Sequence, residues 1–315
     1  TGVPELDKVL SYKYSAITGP AGSGKTTLVR KLKELSKEKV VMSAMTGKAA
    51  RVLSKEARTV HDLLGYSRTQ RGKFEKKHID GILVVDEASM LDWVTAHAIL
   101  RSAERVVFVG DPDQLPPIEG EPVFREILKH LPAVCLTKIH RQKEDHTVEV
   151  ISRRDYTGVL TTTKTLAASL LRQGRRYQII TPLVDVAHEL NLQIKRDILR
   201  KRPDEFTPGD RVIVNKNIYA DGLLVVSNGD TGVVIRKEDE EFYRVDVRGN
   251  IIMLRTKEME LAYALTVHRA QGSEYDYVIF AIPPGVRKDF VTEEMHYVGK
   301  TRGRIKTYVV TGLAD

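Results

Sequence analysis

The chain has 315 residues, a single cysteine (Cys135), and 50 Lys plus Arg against 42 Asp plus Glu, for a formal net charge of +8. That length supports two or three compact units with their own cores, and one cysteine excludes an internal disulfide and fits a reducing, cytoplasmic compartment. No apolar run approaches the roughly 20 residues that span a bilayer, so no membrane is expected, while the modest basic excess favours a polyanionic partner.

The first informative stretch is Tyr14-Ser15-Ala16-Ile17, a short apolar run, followed by Gly19-Pro20-Ala21-Gly22-Ser23-Gly24-Lys25-Thr26-Thr27. This matches the phosphate-loop pattern G-x-x-x-x-G-K-[ST] between a predicted strand and a predicted helix. Small residues let successive backbone N–H groups turn toward one anion, and the helix N-terminus adds its positive dipole end. Gly22, Ser23, Gly24, Lys25, Thr26 and Thr27 are therefore the expected nucleotide-binding residues. Lys25 supplies a charge for the β/γ-phosphates of a nucleoside triphosphate, and the Thr26 hydroxyl supplies a ligand for Mg²⁺.

Residues 40–45 read as a second buried strand, with Thr46-Gly47-Lys48 opening a helix, and Thr59 is a plausible N-cap for the next. Between Ser67 and His78 the chain turns basic, with Arg68, Arg71, Lys73, Lys76 and Lys77 around a lone aromatic, Phe74. Cations for phosphates and a ring for stacking suit a nucleic-acid strand; a solvated surface hairpin is the other reading. Ile82-Leu83-Val84-Val85 is a strand buried on both faces, and Asp86 and Glu87 end it. Asp86 there is suited to Mg²⁺, and Glu87 to deprotonating the attacking water. Val106–Val109 is the next strand, and it delivers Gln114, which can both donate to a phosphate and accept from water, into a polar loop.

In the second half, Arg141 follows Ile139-His140, a cation placed where it can neutralise charge on a transferred phosphoryl group. Residues 145–175 show no clear period and read as surface helices and turns. A buried strand over 177–183 precedes a helix with Val186, Leu190, Ile194 and Ile198 on one apolar face. From 206 to 260 the period changes to short strands with tight turns at Asn228-Gly229 and Gly249-Asn250, a small barrel inserted in an α/β domain. Thr266 and His268 are short polar groups suited to backbone phosphates, although a lone His also serves well as a satisfied core residue.

Taken in order, Gly19–Thr27, Ala44–Ala50, Thr59-Val60-His61, Asp86-Glu87-Ala88-Ser89, Gly110–Pro117, His140-Arg141-Gln142, Thr266–Asp276 and Tyr297–Arg304 resemble the motifs of superfamily-one helicases, most closely the RecD-like branch. The resemblance runs over nearly the whole chain. It implies an α/β fold of two RecA-like parallel-sheet motor domains, residues 1–135 and residues 136–205 with 261–315. It also implies a Src-homology-three-like barrel at 206–260 and a short insertion at 65–80. ATP is then hydrolysed at a cleft between the two domains, with Lys25, Glu87, Gln114, Arg141 and Arg302 as catalytic residues and Gln271, Gly272 and Glu274 near the nucleotide. Thr46, Lys48, Thr59, His61, Phe74, Thr266 and His268 are the expected contacts to single-stranded DNA, including single/double-strand junctions. Movement is expected 5′→3′, in the cytoplasm or on a nucleoid. Two alternatives use the same residues: an ATP-gated binding or loading module, and an RNA-directed helicase. Residues 1–18 lack the adenine-recognising Gln of relatives, and Met45 stands where relatives often carry Pro.

Overall fold

Period-two burial builds the core of the amino-terminal unit. The computed structural model describes residues 1–66, 74–75, 77–138, 146–220, 223–287 and 290–312. The chain divides into two compact units, Thr1–Arg141 with Ala220–Leu224, and Gln142–Tyr219 with Val225–Asp315. The first contains β1 (Tyr14–Thr18), β2 (Val40–Ala44), β3 (Arg58–Thr59), β4 (Ile79–Asp86), β5 (Ala103–Gly110) and β6 (Ala133–Cys135). All pair in parallel, in the order β3-β2-β4-β5-β1-β6.

Ile82, Val84, Val107 and Val109 enter one apolar cluster with Val29 and Leu32, whereas Leu83, Val85, Val106 and Phe108 enter another with Ile99 and Phe124. Successive strand side chains point to opposite faces, so an unbroken apolar run requires cover on both. The cover comes from α1 (Pro4–Leu10), α2 (Lys25–Leu35), α3 (Gly47–Leu53), α4 (Val60–Leu63), α5 (Trp93–Ser102) and α6 (Phe124–His130). Each fully buried Val, Leu or Phe is worth about 1.5–3 kcal/mol relative to exposure. Every loop that follows a strand therefore leaves the sheet at one edge, its C-terminal one.

The rest of the chain runs through β7 (Thr147–Ser152), α7 (Tyr156–Arg172), β8 (Tyr177–Thr181), α8 (Val184–Gln193) and a π-helical turn over Ile194–Ile198. Then come β9 (Arg211–Val214), β10 (Ile218–Ala220), β11 (Leu223–Val226), β12 (Thr231–Lys237), β13 (Phe242–Val247), β14 (Asn250–Arg255) and β15 (Met259–Leu261). Last are β16 (Ala264–Thr266), α9 (Val267–Ala270), β17 (Tyr275–Ile282), α10 (Glu293–Thr301) and β18 (Gly303–Thr311). Strands β16-β8-β17-β18-β7 form a second all-parallel sheet. Strands β14-β13-β12-β9-β15 form an antiparallel one, and β10 pairs with β11. This antiparallel sheet has its own core of Val212, Val214, Val234, Tyr243, Val245 and Leu254.

Two elements correct the reading of residues 145–175 as surface helices and turns. β7 is an edge strand whose Val148 and Val150 are exposed, so its apolar residues mark no buried face. α7 is a 17-residue helix whose buried stripe, Val159, Leu160, Thr163, Ala167 and Leu170, includes a threonine. The Thr163 hydroxyl donates to the Val159 carbonyl at 2.8 Å, which lets it pack inward without a stranded polar group. No described helix is long and apolar enough to cross a membrane.

Candidate functional site

The phosphate loop leaves β1 at the C-terminal edge of the first sheet. Gly22 and Gly24 take φ of 80° and 89°, which turns the backbone N–H groups inward and starts α2 at Lys25. Gly19 is required by space as well as by φ, because a Cβ there would lie 2.4 Å from the Leu136 carbonyl oxygen. The Lys25 ammonium donates to the carbonyls of Gly19 at 2.5 Å and Pro20 at 2.8 Å, so it is held over the mouth of the loop. Thr26 lies half-buried in the first turn of α2 and Thr27 is exposed.

β4 brings the acidic pair to the same edge. Asp86 is 8% exposed, and its Oδ1 accepts from the Glu87 N–H at 2.8 Å. Glu87 takes φ 56°, ψ 38°, the left-handed region that a non-glycine residue enters only when its surroundings hold it there. Register levels Ala44 with Asp86, and Thr18 with Gly110, so the loops after β2, β4, β5 and β1 lie side by side. Gly110 sits against the Phe124 ring, and a Cβ would approach it to 2.9 Å. Past it, Gln114 is 7% exposed, with Nε2 donating to Asp111 Oδ2 at 3.3 Å and a buried Oε1 that has no partner. Ser23 Oγ and Ser89 Oγ are likewise buried without partners. Three orphaned polar atoms on neighbouring loops mark an edge arranged for a polar ligand rather than for stability. The expected nucleotide residues of the first unit thus share one edge.

The expected strand contacts of this unit lie further along it. Thr46 caps α3 by accepting from the Ala49 N–H at 3.2 Å, and Thr59 caps α4 by accepting from the Asp62 N–H at 3.2 Å. Lys48 is half-buried in the first turn of α3. The His61 and Phe74 rings stack at 5.8 Å and 29°, with Tyr66 5.0 Å from Phe74. Phe74 also packs on the apolar cluster around Phe108, so the ring shares its area between core and surface. Arg68, Arg71, Lys73 and Lys76 of the basic stretch, and Arg141, lie outside the described residues.

In the second unit the expected residues run from one edge of a sheet toward the other. Glu274 and Arg302 lie where β17 and β18 begin, the Tyr275 N–H donating to the Arg302 carbonyl at 2.9 Å, whereas Gln271 and Gly272 follow α9, the Gln271 N–H donating to the His268 carbonyl at 3.3 Å. Arg302 is 3% exposed. Its terminal nitrogens make only long bonds, 3.5 Å to the Ser273 carbonyl and 3.4 Å to Thr301 Oγ1, and its Nε is buried without a partner. Among the described residues no carboxylate pairs with it. Gln271 Nε2 is likewise buried and unpartnered.

Thr266 and His268 lie at the opposite edge, where β16 ends and α9 begins. Thr266 caps α9 and sits level with Thr181, whose buried Oγ1 has no partner. Sequence reasoning passed over Thr181, because a threonine ending a buried run gives no sign of where its hydroxyl goes. Burial pushes the His268 imidazole below its ordinary range, so it is neutral at pH 7 and acts as a hydrogen-bonding group rather than a cation.

A family model described as an AAA domain matches residues 6–180, more than half of the chain, and one described as a UvrD-like helicase C-terminal domain matches residues 261–310. The ATP-dependent RecD2 DNA helicase of Deinococcus radiodurans is 29% identical over 95% of this chain and 47% of its own length. The RecBCD enzyme subunit RecD of Mycolicibacterium smegmatis is 25% identical over 97% of the chain and 70% of its own. The chain therefore spans about half the length of the first of these relatives. Among solved structures, a Bacteroides Pif1 helicase with ADP-AlF3 and single-stranded DNA aligns with TM-score 0.63 at 21% identity, covering 97% of this chain and 92% of the other, which shows a shared fold. Two parallel sheets, a phosphate loop at one edge and family models over both halves lead to one assignment. The chain belongs to the AAA-domain family, in the RecD-like branch of superfamily-one helicases.

Proposed function

We propose that this chain is an ATP-dependent DNA helicase or translocase that moves 5′→3′ along single-stranded DNA. One observation carries the reading: Lys25, Thr26, Asp86, Glu87 and Gln114 converge on one sheet edge, and three buried polar atoms there lack partners. In this reading Lys25 and the loop N–H groups bind the triphosphate, Glu87 takes the proton of the attacking water, and Gln114 orients that water. Arg302 and Arg141 offset charge on the terminal phosphate, with Gly272 and Glu274 near the nucleotide. Hard oxygen donors of low number, Thr26 Oγ1 and the Asp86 carboxylate, fit Mg²⁺, which keeps waters and substrate phosphates as its other ligands. When bound, that ion would offset phosphate charge. The five-stranded antiparallel sheet, which ends at Leu261, is proposed to be the Src-homology-three-like insertion expected at residues 206–260 of a second motor domain made of residues 136–205 and 261–315.

The polarity and the DNA preference follow the RecD-like relatives. ATPase stimulation by matched DNA and RNA oligonucleotides tests the substrate, and displacement of streptavidin from each end of a biotinylated oligonucleotide tests movement. Stimulation by DNA with displacement from the 3′ end alone is expected; RNA preference, or no displacement at either end, overturns the reading.

Contacts to phosphate can be counted by salt. Lys48→Ala should lower the slope of log affinity against log salt by about 0.7, one phosphate's counterion on a single strand. His268→Gln should weaken binding with an unchanged slope, because a neutral imidazole displaces no counterion. Fluorescence anisotropy with a labelled oligonucleotide between about 50 and 200 mM salt gives both. Equal slopes for Lys48→Ala and the parent protein would remove Lys48 from the DNA track.

A further inference from the structure

Five polar side chains are buried around the short segment that returns from the antiparallel sheet to the second parallel sheet: Gln178, Asn191, Lys195, Asp210 and Tyr263. Lys195 and Asp210 are fully buried and pair at 2.6 Å. The Asp210 carboxylate also accepts from the Thr207 N–H at 2.7 Å, the Thr207 hydroxyl at 3.0 Å, the Tyr263 hydroxyl at 2.9 Å and Lys201 Nζ at 3.3 Å. Asp210 precedes β9 and Tyr263 follows β15, so one hydrogen bond joins the entry of the antiparallel sheet to its exit. Lys195, which also donates to the Glu205 carbonyl, comes to this point from the π-helical turn. The extra residue of such a turn re-aims side chains, a device common at functional sites.

The remaining two members hold the same segment from the other side. Asn191 imitates a strand edge: its Nδ2 donates to the carbonyls of Leu261 at 3.0 Å and Ala264 at 2.9 Å, and its Oδ1 accepts from the Ala264 N–H at 2.8 Å. Gln178 Nε2 donates to the carbonyls of Ala262 at 3.2 Å and Tyr263 at 3.1 Å, and Arg211 donates to its Oε1. Two residues past Ala264 the chain reaches Thr266. Lys195, Leu261, Ala264, Thr266 and Arg269 line one cavity of about 670 Å³, so the network and the expected strand contact share a wall.

A buried ion pair adds little net stability over apolar residues of the same volume, but it fixes relative geometry strictly, because breaking it leaves an uncompensated charge. We infer that Lys195, Asp210 and Tyr263 are positioning residues, which hold segment 261–264 so that Thr266 and His268 meet the nucleic-acid strand in one geometry. The inference rests on the reading of Thr266 and His268 as strand contacts. None of the three need touch DNA or nucleotide.

The test is the oligo-deoxythymidine dependence of ATPase activity in the double variant Lys195→Met/Asp210→Leu, with Thr266→Ala alongside. The double variant replaces the pair with apolar residues and removes both charges together, whereas Lys195→Met alone would leave the buried Asp210 with Lys201 as its one cation among the described residues; thermal melting verifies that the double variant is folded. The half-stimulating DNA concentration should rise on the order of ten-fold, one well-made hydrogen bond's worth. KM for ATP and the rate without DNA should stay unchanged, a split that general loosening of the fold would not produce. Adding Thr266→Ala to the double variant should raise the concentration no further, because both act through one contact. A folded double variant with the parent's DNA dependence overturns the positioning role while Thr266→Ala still weakens stimulation. If Thr266→Ala leaves stimulation untouched, the strand-contact reading fails, and the positioning role fails with it.

Discussion

Glu87→Gln should lower ATP turnover by ~10²–10⁴-fold, the usual contribution of a positioned general base, while nucleotide still binds. The expectation rests on placement. β4 is buried along its last five residues and ends at Asp86, and the next residue turns into the left-handed region at φ 56°. A glutamate held in that conformation costs about 1–3 kcal/mol, which a residue with no task would shed over time. Glu87→Gly removes both the carboxylate and the Cβ penalty at positive φ, so it should fold and yet be inactive. Lys25→Ala should instead lose nucleotide affinity along with turnover, because its ammonium is proposed to form part of the phosphate cradle. Single-turnover hydrolysis and binding of a fluorescent ATP analogue separate these outcomes. Near-parent hydrolysis by Glu87→Gln would remove this residue from the chemistry.

Arg302→Met should act in opposite directions on turnover and on stability. In the proposed role of offsetting charge on the terminal phosphate, Arg302 should be worth ~10³–10⁵-fold in hydrolysis. The same guanidinium is 3% exposed, bonded only at 3.4 and 3.5 Å, with a buried Nε that has no partner. Burying such donors unsatisfied costs about 1–3 kcal/mol, and methionine fills similar space without them. The melting temperature of the unliganded protein should therefore rise by roughly 2–4 °C per kcal/mol relieved. Calorimetry without nucleotide, set beside steady-state ATPase, checks both signs. A variant that melts lower and hydrolyses normally would show that Arg302 is a structural cation.

Much of the candidate site's local geometry was legible because it is written locally. Gly19, Gly22 and Gly24 are needed for φ angles and clearances within a few residues of themselves, and Lys25 and Thr26 follow at fixed spacing. Asp86 and Glu87 end an apolar run whose alternate residues serve two clusters, so burial on both faces could be read from that run alone. The helix caps Thr46 and Thr59 were equally local. By contrast, β7 hid because an edge strand with exposed valines has no burial pattern, and α7 because threonine and alanine share its inward stripe.

By itself, then, the sequence determined the phosphate loop, the acidic strand end, the parallel architecture and the switch to short antiparallel strands. Each of these depends on residues within one or two turns or strands of one another. Only the tertiary structure decided that Lys195 points inward to Asp210, that Gln178 holds the carbonyls of residues 262 and 263, and that Arg302 lies buried without a carboxylate among the described residues. Those contacts join segments far apart in the chain, and nothing in the local pattern of charge or hydropathy marks which of 50 basic side chains will be drawn out of water. Burial of a charge is settled by the groups that converge on it, and convergence is a property of the fold.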